Sequence, residues 1–115
     1  MFTFRETDQN PVVIRDLMIA INDGADIAPI VVIDGEIILD GHHRATAYAR
    51  LGFDAPIVSI SSANYDALIV AGYDDLEIAA AAHLTYGDGA GADALDAQFP
   101  GAGIYGRACD AAELL

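Results

Sequence analysis

A chain of 115 residues and 12.0 kDa, 54% of it apolar, has the size of one domain with one modest core, and we expect a single domain over 1–115. Its 18 Asp and Glu face 5 Arg and no Lys, a formal net charge of −13, which repels polyanions and excludes the continuous basic stripe that general nucleic-acid binding draws on. The lone Cys109 excludes an intrachain disulfide framework and a zinc site built from cysteines.

Asn10 before Pro11 marks a helix start, because asparagine caps free backbone N–H groups and proline suits the first helical position. Ile14, Leu17, Met18 and Ile21 recur at helical spacing and Gly24 stops the pattern, so a first helix is predicted from about Pro11 to Asp23. Pro29 to Ile33 is a β-branched run, and Glu36 to Leu39 is a second apolar run after Asp34-Gly35. Two strands around Asp-Gly predict a hairpin, since both central residues of a type I′ turn need positive φ. The nearly continuous apolar character of both arms predicts strands covered on both faces, or nearly so, as in the middle of a small α/β sheet. Asp40-Gly41 then opens a helix ending at Leu51, with Asp40 expected as its N-cap and Gly52 as its stop. Ile57 to Ile60 reads as a third strand, placed beside the hairpin through this helical crossover.

Past Ser61-Ser62 the pattern is less distinct. Tyr65 to Ala71, closed by Gly72, fits a short helix or a strand, whereas Asp74 to Tyr86 reads as a helix capped by Asp74 and ended by Gly87. Gly87 to Gly91 is a flexible loop by composition, and Asp93 to Gln98 and Asp110 to Leu115 have room for a turn or two of helix each. No apolar stretch approaches the ~18–20 residues that cross a bilayer. Met1 to Asp8 has neither the basic region nor the apolar stretch of a secretory signal, and the expected location is cytoplasmic.

Leu39-Asp40-Gly41-His42-His43-Arg44 concentrates the chemistry of the chain. In a helix beginning near Gly41, the first backbone N–H groups have no partner within the helix and point outward with the positive end of its dipole. Gly41 lets an anion approach the backbone, Arg44 offers a planar fork matched to phosphate oxygens, and His42 and His43 add donors. Asp40 stays open between three roles: cap, holder of Mg²⁺ beside a phosphate, or base. Glu36 joins the catalytic candidates if its side chain lies on the same face of the strand. A metal site from Asp40, His42, His43 and His83 is a weaker alternative, because neighbouring helical side chains diverge by about 100°. His83 itself reads as a surface or core-edge histidine.

An apolar strand, a DG turn, a second apolar strand, Asp40-Gly41-His42-His43-Arg44 backed by Ala45 and Ala47, then Leu51-Gly52 and Pro56-Ile57-Val58 together resemble the ParB/sulfiredoxin-like superfamily. The resemblance covers roughly Asn10 to Ile60. It implies an α+β fold: a small mixed sheet, a β-hairpin followed by a phosphate-binding helix, helices packed around it, and a C-terminal helical or loop extension over 61–115. In relatives this turn grips nucleotide phosphates, reading G-C-H-R in sulfiredoxin and G-E-R-R in ParB-type proteins. Gly41 and Arg44 match both spellings, and His43 matches the first.

The ligand so implied is ATP, ADP or CTP, held by Gly41, His42, His43 and Arg44, with Arg15 of the first helix as a second cation and Mg²⁺ wherever phosphoryl chemistry occurs. His42 stands where sulfiredoxin has its reactive cysteine, so sulfinic acid reduction is not supported. The absence of a basic helix-turn-helix segment downstream argues against centromere-type DNA binding. DGHHR also resembles small ParB-like proteins of unassigned activity and the longer ADP-dependent serine kinases. The leading expectation is a nucleotide-binding domain with phosphohydrolase or phosphotransfer activity. One alternative is a non-catalytic acidic interaction or assembly module of a mobile element or virus, meeting a basic protein partner. Another is a ParB-like nuclease, which requires DNA to approach a strongly acidic surface.

Overall fold

The computed structural model describes residues 2–4, 9–87 and 89–115; parts of the opening stretch and Asp88 of the glycine-rich segment lie outside them. The first helix, α1 (Pro11–Asn22), starts as the Asn-Pro pair predicts. Asn10 is extended, and its Oδ1 accepts from the amides of Val12 and Val13 at 2.9 and 3.4 Å.

β1 (Ile30–Ile33) and β2 (Ile37–Asp40) form the antiparallel hairpin. Asp34 at φ 53° and Gly35 at φ 72° are both left-handed, and the Glu36 amide donates to the Ile33 carbonyl at 3.1 Å to close the turn. α2 (His42–Leu51) carries the chain to β3 (Ile57–Ile60), which lies parallel to β1 with Ile30 opposite Ile57 and Ile33 opposite Ile60. The sheet is mixed, ordered β2-β1-β3. Its middle strand is buried throughout, which explains the unbroken Ile-Val-Val-Ile.

Strand alternation divides the apolar residues between two layers. Ile30 and Val32 join Ile38 and Ala45 on the face covered by α2, while Val31 and Ile33 join Leu39, Val58 and Ile60 on the opposite face. That second face meets α4 (Asp75–Tyr86), and α3 (Ser62–Val70), α5 (Ala90–Gln98) and α6 (Ile104–Ala112) complete the layer. Every residue of α4 from Glu77 to His83 is buried, and four successive alanines keep its surface thin enough for sheet and helices to close on it. Its start is a reciprocal capping box: Asp74 accepts from the Glu77 amide at 2.8 Å and Glu77 accepts from the Asp74 amide at 3.0 Å.

The chain is therefore a small α+β fold with, among the described residues, six helices and a three-stranded mixed sheet. Of the helix or strand left open between Tyr65 and Ala71, the structure has the helix: residues 62–70 are helical, capped by Ser61, whose hydroxyl accepts from the Asn64 amide at 3.1 Å. Two expectations need correction. Ala90 and Gly91 belong to α5 rather than to a flexible loop, and Gly91 is buried against the His83 ring. The last helix starts at Ile104, well before Asp110, because Ile104, Ala108 and Ala111 form a buried stripe at helical spacing. No helix among the described residues is long and apolar enough to cross a membrane.

Candidate functional site

Asp40 ends β2, and the ladder is irregular just there. Val31 pairs with Asp40 while Val32 pairs with Ile38, so the register shifts by one residue. In a regular strand Leu39 and Asp40 would face opposite layers. Here Leu39 packs in the α4 layer and the Asp40 carboxylate reaches His83 of α4 as well, a re-aiming typical of a β-bulge.

Asp40 is not the N-cap of α2. The cap is Gly41, left-handed at φ 101°, ψ 31°, which has no side chain to cap with. The carboxylate is engaged elsewhere: Oδ2 accepts from the Arg44 guanidinium at 2.9 Å and lies 3.2 Å from His83 Nε2. Arg44 folds back over Gly41 so closely that a Cβ there would stand 2.7 Å from NH2 and 2.9 Å from Nε. The Arg44 Nε is closed to solvent and meets no acceptor among the described residues.

Burial by itself would raise the Asp40 carboxyl, but the His83 hydrogen bond and the Arg44 charge outweigh it and hold the group below its ordinary 3.8. Such a carboxylate stays ionised at neutral pH. It is a weak general base and a good partner for a cation.

The histidines take separate roles. The His43 Nε2 accepts from the Asn10 backbone amide at 3.0 Å, tying the start of α2 to the start of α1. His42 is buried, its ring 6.1 Å from that of Phe4 and tilted by 54°. His83, expected at the surface or core edge, is only 1% exposed. The missed signal was its setting: a helix apolar all round is buried, and a histidine within it needs a polar partner. Of the four residues weighed as a metal set, Asp40 and His83 come together. Among the described residues no group of three or more His, Cys, Asp or Glu side chains is placed to hold a metal ion.

Two further candidates lie away from the site. Arg15 is 68% exposed on its side chain, paired with Asp16 at 3.3 Å, and contributes nothing to the cleft described below. Glu36 sits on the hairpin turn at the opposite end of β2, where its Oε1 accepts from the Thr3 hydroxyl at 3.3 Å. Four residue steps along the strand separate it from Asp40, roughly 13 Å, beyond reach of a shared reaction centre.

The start of α2 opens on a cleft of about 400 Å³. Asp40, Gly41, His42, His43 and Arg44 form one side, with walls from Val13 and Leu17 of α1, Leu76 of α4, and Leu95, Gln98 and Phe99 at α5. Another cleft, about 430 Å³, is lined by aromatic residues including Phe2, Phe4, Tyr48 and Phe53, with Asp54 its only charged lining residue among the described ones. The start of α2 and the Arg44 guanidinium belong to the first. Family models, curated proteins and solved structures were each compared with the chain, and none matches it.

Proposed function

We propose that the chain is a small nucleotide-binding domain of ParB/sulfiredoxin-like fold, with the phosphate seated on the first turn of α2. One observation carries this reading: a left-handed glycine, Gly41, is the N-cap of the helix and stands beside a guanidinium, on the wall of a cleft large enough for a small ligand. The order hairpin, helix, parallel strand supports the fold half of the proposal. Asp40 holds Arg44 over the turn, and a phosphate competes for the same fork at the positive end of the helix. Where the ligand is hydrolysed or its phosphoryl group transferred, Mg²⁺ is required, and Asp40 is the ionised carboxylate beside the turn to receive it.

The test is equilibrium binding of ATP, ADP and CTP, with and without Mg²⁺, to wild type and Arg44→Ala. Loss of a charged hydrogen bond of about 1.5–3 kcal/mol predicts at least tenfold weaker binding by the variant. Equal binding by both proteins, or no binding by either at millimolar ligand, overturns the proposal.

A second reading has its own observation. Motif side chains already serve the fold: His43 binds the Asn10 amide, Arg44 binds Asp40, and His42 is buried. This favours a non-catalytic acidic interaction module, for which a basic partner binds independently of nucleotide and is released by salt.

A further inference from the structure

Resting on the nucleotide reading above, we infer that the end of α5 is the wall that holds the base, with Phe99 as its stacking face. The cleft has two chemically different sides. Gly41 and Arg44 form the polar one, and Leu76, Leu95 and Phe99 form an apolar one. A bare phosphate contacts only the first side and meets an ionised Asp40 and a chain of net charge −13. Apolar wall and anion site are both satisfied by a ligand that carries a flat ring behind its phosphate.

Phe99 is built to present such a face. It ends α5 with non-helical backbone at φ −125°, ψ 68°, and the residue is 39% exposed. The backbone there is held from both sides: the Phe99 amide donates to the Leu95 carbonyl at 3.3 Å, and the Phe99 carbonyl accepts from the Ala102 amide at 3.2 Å. A ring on a fixed backbone stacks a base with little ordering cost, and stacking tolerates any base because each has a π face. Gln98, next to it on the same wall, has a carboxamide with two donors and an acceptor, the groups that read a base edge.

The experiment measures binding of ATP, CTP and tripolyphosphate, all with Mg²⁺, to wild type, Phe99→Ala, Phe99→Tyr and Arg44→Ala. Wild type binds the nucleotides more tightly than tripolyphosphate. Phe99→Ala weakens the nucleotides about tenfold, as expected for the loss of one stacked base, and leaves tripolyphosphate unchanged. Phe99→Tyr, which keeps the ring, binds nucleotides as wild type does. Arg44→Ala weakens all three ligands. If Phe99→Ala binds nucleotides as wild type does while Arg44→Ala does not, or if Phe99→Tyr falls with Phe99→Ala, the base wall is wrong and the phosphate site stands. Failure of wild type to bind any of the three removes both.

Discussion

Asp40 and His83 are 43 residues apart in the chain and meet through Oδ2 and Nε2 at 3.2 Å, joining the end of β2 to the buried interior of α4. The same oxygen receives the Arg44 guanidinium at 2.9 Å. One carboxylate therefore couples the central helix to the first turn of α2, and the position of the guanidinium beside the cleft depends on a histidine that does not line it.

Removing His83 should cost more than its contacts alone. His83→Ala opens a cavity in a fully buried position and leaves the Asp40 charge with Arg44 as its remaining strong partner. The expected loss is about 2–4 kcal/mol in urea unfolding. A loss within about 0.5 kcal/mol, the range of ordinary surface substitutions, would show that the contact does not hold the fold together.

Acid should act through Asp40. Its folded pKa lies below the ordinary 3.8, so its contribution to stability is fully present above that value and is lost as pH falls through the lower folded value. Asp40→Asn cannot titrate and lacks this contribution throughout. The gap in unfolding free energy between wild type and Asp40→Asn should be constant from pH 7 to about 5 and shrink below about pH 4. A gap that widens in acid contradicts the assignment.

Two glycine substitutions separate backbone strain from crowding. At Gly41, φ 101° strains any side chain, while the atoms a Cβ would meet belong to the movable end of Arg44. Gly41→Ala should cost about 1–2 kcal/mol and displace the guanidinium from Asp40. Gly91 lies in α5, where alanine is favoured over glycine by about 1 kcal/mol, yet a Cβ would stand 2.4 Å from His83 Nδ1. The ring is enclosed, so crowding wins and Gly91→Ala should destabilise by about 1–3 kcal/mol. Combined with His83→Ala, the Gly91→Ala penalty should vanish or reverse, which a double-mutant cycle measures.

Arg107 fastens α6 to the start of α4. Its Nε donates to Glu77 Oε2 at 2.9 Å, its NH2 donates to the Gly72 carbonyl at 3.1 Å, and its guanidinium lies 4.6 Å over the Tyr73 ring. Burial raises the Glu77 carboxyl, and the Asp74 amide and Arg107 together bring it below its usual range. Arg107→Ala should lower the thermal midpoint, by less than His83→Ala because the arginine is largely solvated. No change in the midpoint would mean that these contacts are idle.

Elements whose signals lie within a few residues were legible without coordinates. The Asn10-Pro11 start, the Asp34-Gly35 hairpin and the Asp74 cap each satisfy backbone groups with a neighbour in the chain. The true starts of α5 and α6 were not legible, because their N-cap residues, Gly89 and Gly103, have no side chain to cap with. Without a capping side chain, a glycine-rich helix start has the composition of a loop.

For the candidate site, the sequence alone determined where the helix opens, that glycine and arginine flank its first turn, and that the chain is too acidic for a broad basic surface. Only the tertiary structure decided what those residues do. A carboxylate beside a helix start caps that helix unless a stronger partner is within reach. For Asp40 the partners are Arg44 and a histidine delivered by a helix far along the chain, and the bulge in β2 turns the side chain toward them. Arg15 and Glu36 were lost from the site for the complementary reason: which way a side chain faces, and how far along a strand it sits, are set by packing between elements rather than by spacing within one.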